Sequence, residues 1–334
     1  TLNSLDLSNT LKAPIFKILF AGVFGNNIDI PSTNNNINYL NFMKYLNTIF
    51  DQLELSFLLE LIYDNSMNNS VVKQTNDHAT DAANMVTDWV KSAIKNVNIS
   101  GNNDKNCMIS YLLDKNINDN DIVSDILAVF FGIHTVGRTL TEAVLLASLY
   151  PDIQQKLYNE LITHNISCDN IDEYILKNKD LILDELHYLK AFLYESMRVV
   201  THGFFQGVAR IIEDKNVTLN GYSIKKGTVV LPCYPLAMHD TKYWKNPYHF
   251  DINNFLDSNN KFKNNIAFCK FGVGKRDCPG IILTKKLLMI LFSRLLLTYK
   301  FESTNMTMND LPTWNGSGIF VKTLFESNIK VSQR

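Results

Sequence analysis

The chain has 334 residues, of which 46% are hydrophobic and 19% are charged, so it can bury a large core and is not disordered. Its formal net charge of -1 gives no electrostatic basis for binding nucleic acid. Its five cysteines are odd in number and contain no CxxC pair, which favours a reducing compartment and disfavours a zinc site. The longest unbroken apolar run, 126–133, is too short to span a membrane.

The first 200 residues are predicted to be helical. Apolar residues recur there three and four positions apart, which is the spacing of one helix face. The predicted helices cover 10–24, 37–63, 71–97, 118–149, 151–164 and 184–200. The longest is bounded by Asn118 and Asp119 as N-cap candidates and by Pro151 beyond its end. At about 1.5 Å per residue it would be roughly 45 Å long, enough to cross a domain.

The pattern changes after residue 200. Alternating residues with turn signals at Asn220-Gly221 and Lys226-Gly227 predict short strands within a strand and loop region, 208–274. A loop and helix follow over 271–300, with Pro279 at the favoured first helical position, and a hairpin is predicted over 311–332. These elements predict one mainly α domain with a minor β part, covering 1–334.

The segment FGVGKRDCPG, 271–280, contains the strongest chemical signal. Cys278 precedes Pro279 and is therefore predicted to be a helix N-cap, where free N–H groups, the helix dipole and Arg276 stabilise a thiolate. Gly272 and Gly274 allow a tight turn and the close approach of a flat group. Three interpretations are open: a small buried hydrophobe, a nucleophile, or a metal ligand such as the single thiolate of a haem iron.

This segment resembles the cysteine loop of the cytochrome P-450 haem-thiolate monooxygenases. The matching positions are Phe271, Gly274, Arg276, Cys278 and Gly280. The resemblance implies a cytochrome P-450 fold and haem b as the cofactor, with Cys278 as the axial iron ligand and Arg276 bound to a propionate. Phe271, Gly272 and Gly274 would then also lie against the cofactor.

A second match is Glu195-Ser-Met-Arg198, whose spacing of three allows an ion pair on one helix face. By itself this pattern is common among surface pairs. In the family the pair is a structural clamp beneath the haem, completed by an arginine in a later Trp-x-x-Pro-x-x-Phe region. Here that region contains Trp244, and the arginine position holds Asn254. One carboxylate and one cation leave no uncompensated charge, and Asn254 can still donate a hydrogen bond.

A third match lies in the long predicted helix, in VFFGIHTVGRT. The family carries Ala/Gly-Gly-x-acid-Thr here, above the haem. Gly132 and Thr135 match, and His134 replaces the acid. The resemblance implies that Thr135 and His134 handle protons, because histidine has an unperturbed pKa near 6.5. Alternatively, Thr135 bonds back to a helix carbonyl and His134 is an ordinary helix residue, with Arg138 disfavouring its charged form.

Further roles follow from position alone. Arg210 falls where many members carry a cation for a haem propionate. The residues expected to line the substrate site are Phe131, Gly132, Phe205, Val208 and Ile319. The resemblance also implies a chain without the N-terminal helices and first sheet strands of the fold, and without the membrane anchor of eukaryotic members.

The resemblance implies a monooxygenase that inserts one oxygen atom of O₂ into a small apolar substrate, with electrons from an NADPH-dependent reductase. The expected location is the endoplasmic reticulum membrane through an upstream anchor, or otherwise the cytoplasm. Two alternatives are open: a haem-thiolate isomerase or dehydratase that needs no O₂, and a non-catalytic remnant of the family.

Overall fold

A computed structural model describes residues 2–25, 80–95, 107–177, 185–200, 210–305 and 328–334, except 82, 93, 116 and 214. It contains two compact units. One comprises Asn9–Arg138, and the other comprises Thr1–Ser8 with Thr139–Arg334.

Helices make up most of the described residues, as predicted. They are α1 (Ser4–Phe24), α2 (Met108–Asp114), α3 (Asp119–Leu149), α4 (Pro151–Thr163), α5 (Ile171–Lys177), α6 (His187–Val199), α7 (Tyr234–Met238) and α8 (Ile281–Thr298). The described residues between 80 and 95 are helical too, in agreement with the prediction for 71–97. The helix predicted over 37–63 lies outside the described residues.

The described strands form three small antiparallel sheets. They are β1 (Leu2–Asn3), β2 (Arg210–Ile211), β3 (Val217–Leu219), β4 (Tyr222–Ile224), β5 (Val229–Val230), β6 (Tyr299–Ser303) and β7 (Asn328–Gln333). Strand β7 pairs with both β1 and β6, β2 pairs with β5, and β3 pairs with β4. Asn220 and Gly221 have φ values of 48° and 85°, which suit a tight hairpin turn between β3 and β4. The first part of the predicted hairpin over 311–332 lies outside the described residues.

The unit formed by 9–138 has an aromatic core. Phe16, Phe20 and Phe24 follow one another at intervals of four on α1, so their rings share one face of the helix. Their neighbours Trp89 and Phe130 have ring centroids 5.8 and 6.1 Å from Phe20 and Phe16, respectively. All five side chains are almost fully buried. This packing places α1 against the first half of α3.

The core of the other unit is built around α6. Phe192 of α6 stacks on Phe292 of α8, with ring centroids 5.3 Å apart and planes inclined by 4°. The start of α6 is held by Glu160 of α4, whose carboxylate accepts hydrogen bonds of 2.8 Å from the backbone N–H groups of Tyr188 and Leu189. A carboxylate satisfies these free donors and complements the positive end of the helix dipole. Helix α6 is therefore fixed at its first turn and along its buried face.

Two described helical stretches, Leu7–Phe24 and Asp119–Leu149, are long and apolar enough to cross a membrane by length and composition. This corrects the sequence prediction, which considered only unbroken apolar runs, because a span tolerates some polar residues. Within the protein, 56% of Leu7–Phe24 is buried, and 44% of the apolar 18-residue window of Asp119–Leu149 is buried. Helices in the core of a soluble protein have the same composition.

Candidate functional site

The cysteine loop is defined here as Phe271–Gly280. It turns on two glycines in the left-handed region, Gly272 with φ 77° and Gly274 with φ 81°. The backbone N–H of Cys278 donates to the carbonyl of Phe271 over 2.7 Å and closes the loop. A Cβ added at Gly272 would stand 3.6 Å from the Cα of Asp277, so the two arms of the loop touch. Glycine is needed at these turns because other residues pay a steric penalty at positive φ.

Cys278 does not cap a helix, contrary to the prediction. Helix α8 begins at Ile281 and its N-cap is Gly280. The carbonyl of Cys278 accepts from the N–H of Ile281 in a tight turn, and the helical bonds begin only with Thr284 N–H donating to Gly280. Cys278 thus lies two residues before the N-cap, and Pro279 belongs to the turn and not to the first helical position.

The cysteine loop and the first turn of α8 expose both apolar side chains and positive charge. Cys278 is a free cysteine and is partly exposed. Val273, Ile282 and Leu283 are 58%, 68% and 47% exposed, although they are large apolar residues. Arg276 is exposed as well. This part of the surface therefore offers a soft sulfur ligand beside apolar side chains and a cation.

Glu195 and Arg198 form a fully buried ion pair on α6. Nε and Nη2 of Arg198 donate to the two carboxylate oxygens of Glu195, each over 2.7 Å. This bidentate geometry is the strongest form of the arginine–carboxylate interaction. The sequence spacing of three predicts this pairing, and the structure contains it.

The other donors of Arg198 hold a distant part of the chain. Nη1 and Nη2 donate to the carbonyls of Met238, Pro247 and His249 over 2.5 to 3.0 Å. The guanidinium carbon also lies 4.8 Å from the ring centroid of Trp244. Arg198 therefore ties α6 to the segment 238–249 through both hydrogen bonds and a cation–π contact.

Asn254 completes the clamp through a hydrogen bond to the Glu195 carboxylate and adds no charge. Its Nδ2 donates to Oε1 of Glu195 over 3.0 Å, and the backbone N–H of Asp251 donates to the same oxygen over 2.9 Å. Burial raises the pKa of Glu195, whereas its hydrogen bonds with Arg198, Asp251 and Asn254 oppose that rise. Asn254 thus donates a neutral hydrogen bond to Glu195 at the position where the family pattern has an arginine.

In the unit formed by 9–138, Gly132 and Thr135 lie on α3. The Thr135 hydroxyl is exposed and donates back to the Gly132 carbonyl over a long 3.4 Å. This hydrogen bond to a carbonyl of its own helix is the structural role that the sequence offered as an alternative to proton handling by Thr135. A Cβ added at Gly132 would be 3.8 Å from Cδ1 of Leu19, which is ordinary contact, so an alanine fits there.

His134 is electrostatically unlike an ordinary histidine. Burial, together with the positive charges of Lys12 and Arg138, lowers its pKa to about 3. Lys12 is only 6% exposed, and a Cβ at Gly137 would come 2.4 Å from its Cγ. The absence of a side chain at Gly137 thus brings α1 and Lys12 close to α3. His134 is neutral near pH 7, and the pKa of 6.5 used in the sequence analysis does not apply.

Comparison with known proteins identifies the family. The model of the family described as Cytochrome P450 matches residues 1–324. The chain belongs to the cytochrome P450 family. The resemblance seen in the cysteine loop is thereby confirmed, as is the mainly helical fold with minor β structure.

The chain is similar to several vertebrate members of this family. It is 33% identical over 175 residues to cytochrome P450 2M1 of Oncorhynchus mykiss, and 32% identical over 213 residues to cytochrome P450 2A1 of Rattus norvegicus. These alignments cover 52% and 60% of this chain. They span only 33% and 41% of the length of the two relatives.

Cytochrome P450 proteins bind haem b, and the described residues fit that cofactor. Within the described part of the chain, no group of three or more His, Cys, Asp or Glu residues is placed to hold a metal ion. A haem iron needs only one axial protein ligand, and Cys278 is a free, partly exposed thiol. A Cβ added at Gly274 would meet no atom within 4 Å, so the backbone of this turn is open to a flat ring.

The structure locates only some of the other predicted site residues. Arg210 is half-buried in β2, where it pairs with Val230, and Phe131 is half-buried on α3. Phe205, Val208 and Ile319 lie outside the described residues, so their substrate-lining role stays a prediction. The roles of Arg210 and Phe131 also stay predictions.

Sequence reasoning missed two features of these regions. It did not identify the carbonyl groups that Arg198 binds, because those lie 40 to 51 residues further along the chain. It also missed Lys12, the buried cation that acts on His134. The sequence shows Lys12 between the apolar residues Leu11 and Ala13, but the proximity of Lys12 to His134 depends on how α1 packs on α3.

Proposed function

We propose that this chain carries the haem-thiolate centre of a monooxygenase, which inserts one oxygen atom of O₂ into a small apolar organic substrate. The electrons would come from NADPH through a reductase partner. The observation that supports this proposal most directly is the cysteine loop: a partly exposed free thiol, between two left-handed glycines and a helix start, next to an exposed arginine.

Two residues of the loop would hold the cofactor. Cys278 would supply the thiolate ligand, and Arg276 would bind a propionate carboxylate by a charge-assisted hydrogen bond. When bound, a thiolate-ligated haem iron supplies the binding and activation of dioxygen. The exposed side chains of Val273, Ile282 and Leu283 offer apolar surface for a macrocycle.

The clamp would position the loop indirectly, through aromatic contacts. Tyr194, which precedes Glu195 on α6, stacks on Phe268 with ring centroids 4.8 Å apart. Phe268 in turn lies 6.4 Å from Phe271, the first residue of the cysteine loop, in an edge-to-face arrangement. Because Arg198 and Glu160 fix α6, these rings give the loop a rigid support.

Proton handling would fall to Thr135 and His134. The Thr135 hydroxyl is exposed and its bond to the Gly132 carbonyl is long, 3.4 Å, and a hydroxyl can donate one hydrogen bond and accept others. His134 is neutral, so it can accept or pass on one hydrogen bond but cannot act as a stored imidazolium. We therefore assign proton donation to Thr135 and a supporting role to His134.

The test is the carbon monoxide difference spectrum of the dithionite-reduced, haem-loaded chain. Thiolate ligation predicts a strongly red-shifted Soret band that disappears in Cys278→Ala. The matched control is Cys168→Ala, which removes an exposed free cysteine and should leave the band unchanged. A band typical of neutral ligation, or an unchanged band in Cys278→Ala, contradicts the proposal, and failure to take up haem supports a non-catalytic role.

One observation favours a second candidate, a haem-thiolate isomerase or dehydratase that needs neither O₂ nor NADPH. The position of the family's proton-delivering acid holds a histidine that burial keeps neutral. The two functions are separated by assaying turnover of candidate peroxide substrates anaerobically without NADPH. Turnover there identifies the second function, whereas dependence on NADPH and O₂ identifies the monooxygenase.

Location in the endoplasmic reticulum membrane is part of the same proposal and follows from family resemblance. The apolar stretches in α1 and α3 are compatible with it but are equally typical of core helices. Cosedimentation of the full chain with microsomal vesicles, before and after a high-salt wash, tests this assignment.

A further inference from the structure

A cavity of about 140 Å³ lies between α6 and α8, on residues that the proposed function does not use for the cofactor. The cavity walls are mostly apolar. They include Leu193, Tyr194 and Met197 from α6, and Leu288 and Met289 from α8. Cys278 is not among the lining residues. The volume is close to that of an engineered cavity, about 150 Å³, which admits a benzene ring.

Two lysines give this cavity a positive charge. Lys190 and Lys285 both line it, and none of its described lining residues is acidic. The Lys285 ammonium lies 5.4 Å from the ring centroid of Tyr194 and 5.7 Å from that of Phe271. The Lys190 ammonium lies 4.6 Å from the ring of Phe262. Aromatic faces attract an ammonium group more weakly than a carboxylate does, so an entering anion competes well for the Lys285 ammonium.

We infer that this cavity binds a small monocarboxylate whose apolar part is about the size of one benzene ring. The apolar group would fill the space among the leucine and methionine side chains, because burial of apolar surface drives its transfer from water. The carboxylate would remain near the opening, paired with Lys285 and Lys190. Cys278 does not line this cavity, and the ligand takes no part in the proposed oxygen chemistry.

The inference depends on both parts of the ligand. A neutral molecule of the same shape gains the apolar contacts but no charge-assisted bond. An inorganic anion is attracted by the lysine charges but makes no contact with the apolar walls. Affinity for the carboxylate should therefore exceed that for its amide, and added salt should reduce only the difference between them.

The test uses 4-fluorophenylacetate as the probe and 4-fluorophenylacetamide as its neutral counterpart. Each is titrated against the full chain, and binding is followed by the ¹⁹F line width and shift. We expect saturable binding of the acid and roughly tenfold weaker binding of the amide. This difference is at the low end for a hydrogen bond to a charged group, because the opening of the cavity is solvated.

The key variant is Lys285→Gln, which should weaken binding of the acid roughly tenfold and leave the amide unchanged. Its control is Lys242→Gln, since the Lys242 ammonium also lies over a tyrosine ring, 5.1 Å from Tyr243, but does not line the cavity. A second variant, Leu193→Phe, enlarges a wall residue and should weaken both probes.

Three outcomes would overturn the inference. They are no saturable binding of the acid at millimolar concentration, equal affinity for acid and amide, and an unchanged acid affinity in Lys285→Gln. Circular dichroism verifies that each variant is folded. If Leu193→Phe fails to fold, the comparison of Lys285→Gln with Lys242→Gln decides whether the inference holds. Because the readout needs no haem, this result is independent of the test of Cys278.

Discussion

The clamp on α6 and the His134 region of α3 both bury an ionisable side chain, but the two regions treat its charge differently. Glu195 and Arg198 are fully buried and remain an ion pair because opposite charge and directed hydrogen bonds surround them. His134 is half-buried beside two cations, Lys12 and Arg138, so its charged form is suppressed. In these two regions, the charge is kept where an opposite charge and hydrogen bonds surround the group, and is suppressed where the neighbouring charges have the same sign.

The largest expected effect comes from breaking the clamp with Arg198→Met. The substitution leaves the buried Glu195 carboxylate without its cation and three carbonyl groups without their donor. Removing one partner of a buried pair costs about 3–5 kcal/mol of the free energy of unfolding. Urea denaturation measures this change.

The control for that variant is Arg294→Met, which removes the cation from the pair with Asp172 between α8 and α5. Both partners of this pair are exposed, so water already screens the interaction and the loss should be far smaller. Equal losses for the two variants would show that burial does not distinguish the clamp from a surface pair.

Replacing His134 should have an intermediate effect on the free energy of unfolding, and this effect should depend on pH. The folded-state pKa of about 3 is below the unfolded value of 6.5, so the unfolded chain binds more protons between these values. Stability therefore rises with pH from 3 to 6.5 and levels off above it. His134→Gln should remove this contribution, about 2 kcal/mol between pH 7 and pH 5.

The measurement compares denaturation curves of the original chain and His134→Gln at pH 5 and pH 7. His249→Gln, which replaces an exposed histidine, is the control variant. If the original chain and His134→Gln lose the same free energy on acidification, the contrast between the two buried regions fails.

The smallest effect on the free energy of unfolding is expected from Asn254→Ala, which tests whether Asn254 contributes to the clamp. Asn254→Ala removes one of the donors to Glu195, while Arg198 and Asp251 keep theirs. We expect a loss of about 1 kcal/mol in the free energy of unfolding, because the side chain is only half-buried. Asn253→Ala, at the exposed neighbouring position, should have less effect. The reverse order would mean that Asn254 contributes nothing to the clamp.

Several features of this protein follow from local sequence alone. The periodicity of 118–149 predicts α3 within one residue of its observed start, since helix formation depends on neighbours three and four positions away. The spacing of Glu195 and Arg198 predicts their pairing for the same reason. The cysteine loop is also local, because glycine is the residue that suits the left-handed turns at 272 and 274.

Other features depend on contacts between distant residues and were decided only by the tertiary structure. The start of α8 was predicted at Pro279, but hydrogen bonding in the turn delays it to Ile281. The carbonyl partners of Arg198 and the support of Phe271 by Tyr194 and Phe268 join separate segments. The pKa of His134 likewise depends on burial and on Lys12 of another helix. Sequence determines which groups are present, whereas desolvation and distance, which set their energies, exist only once the chain is folded.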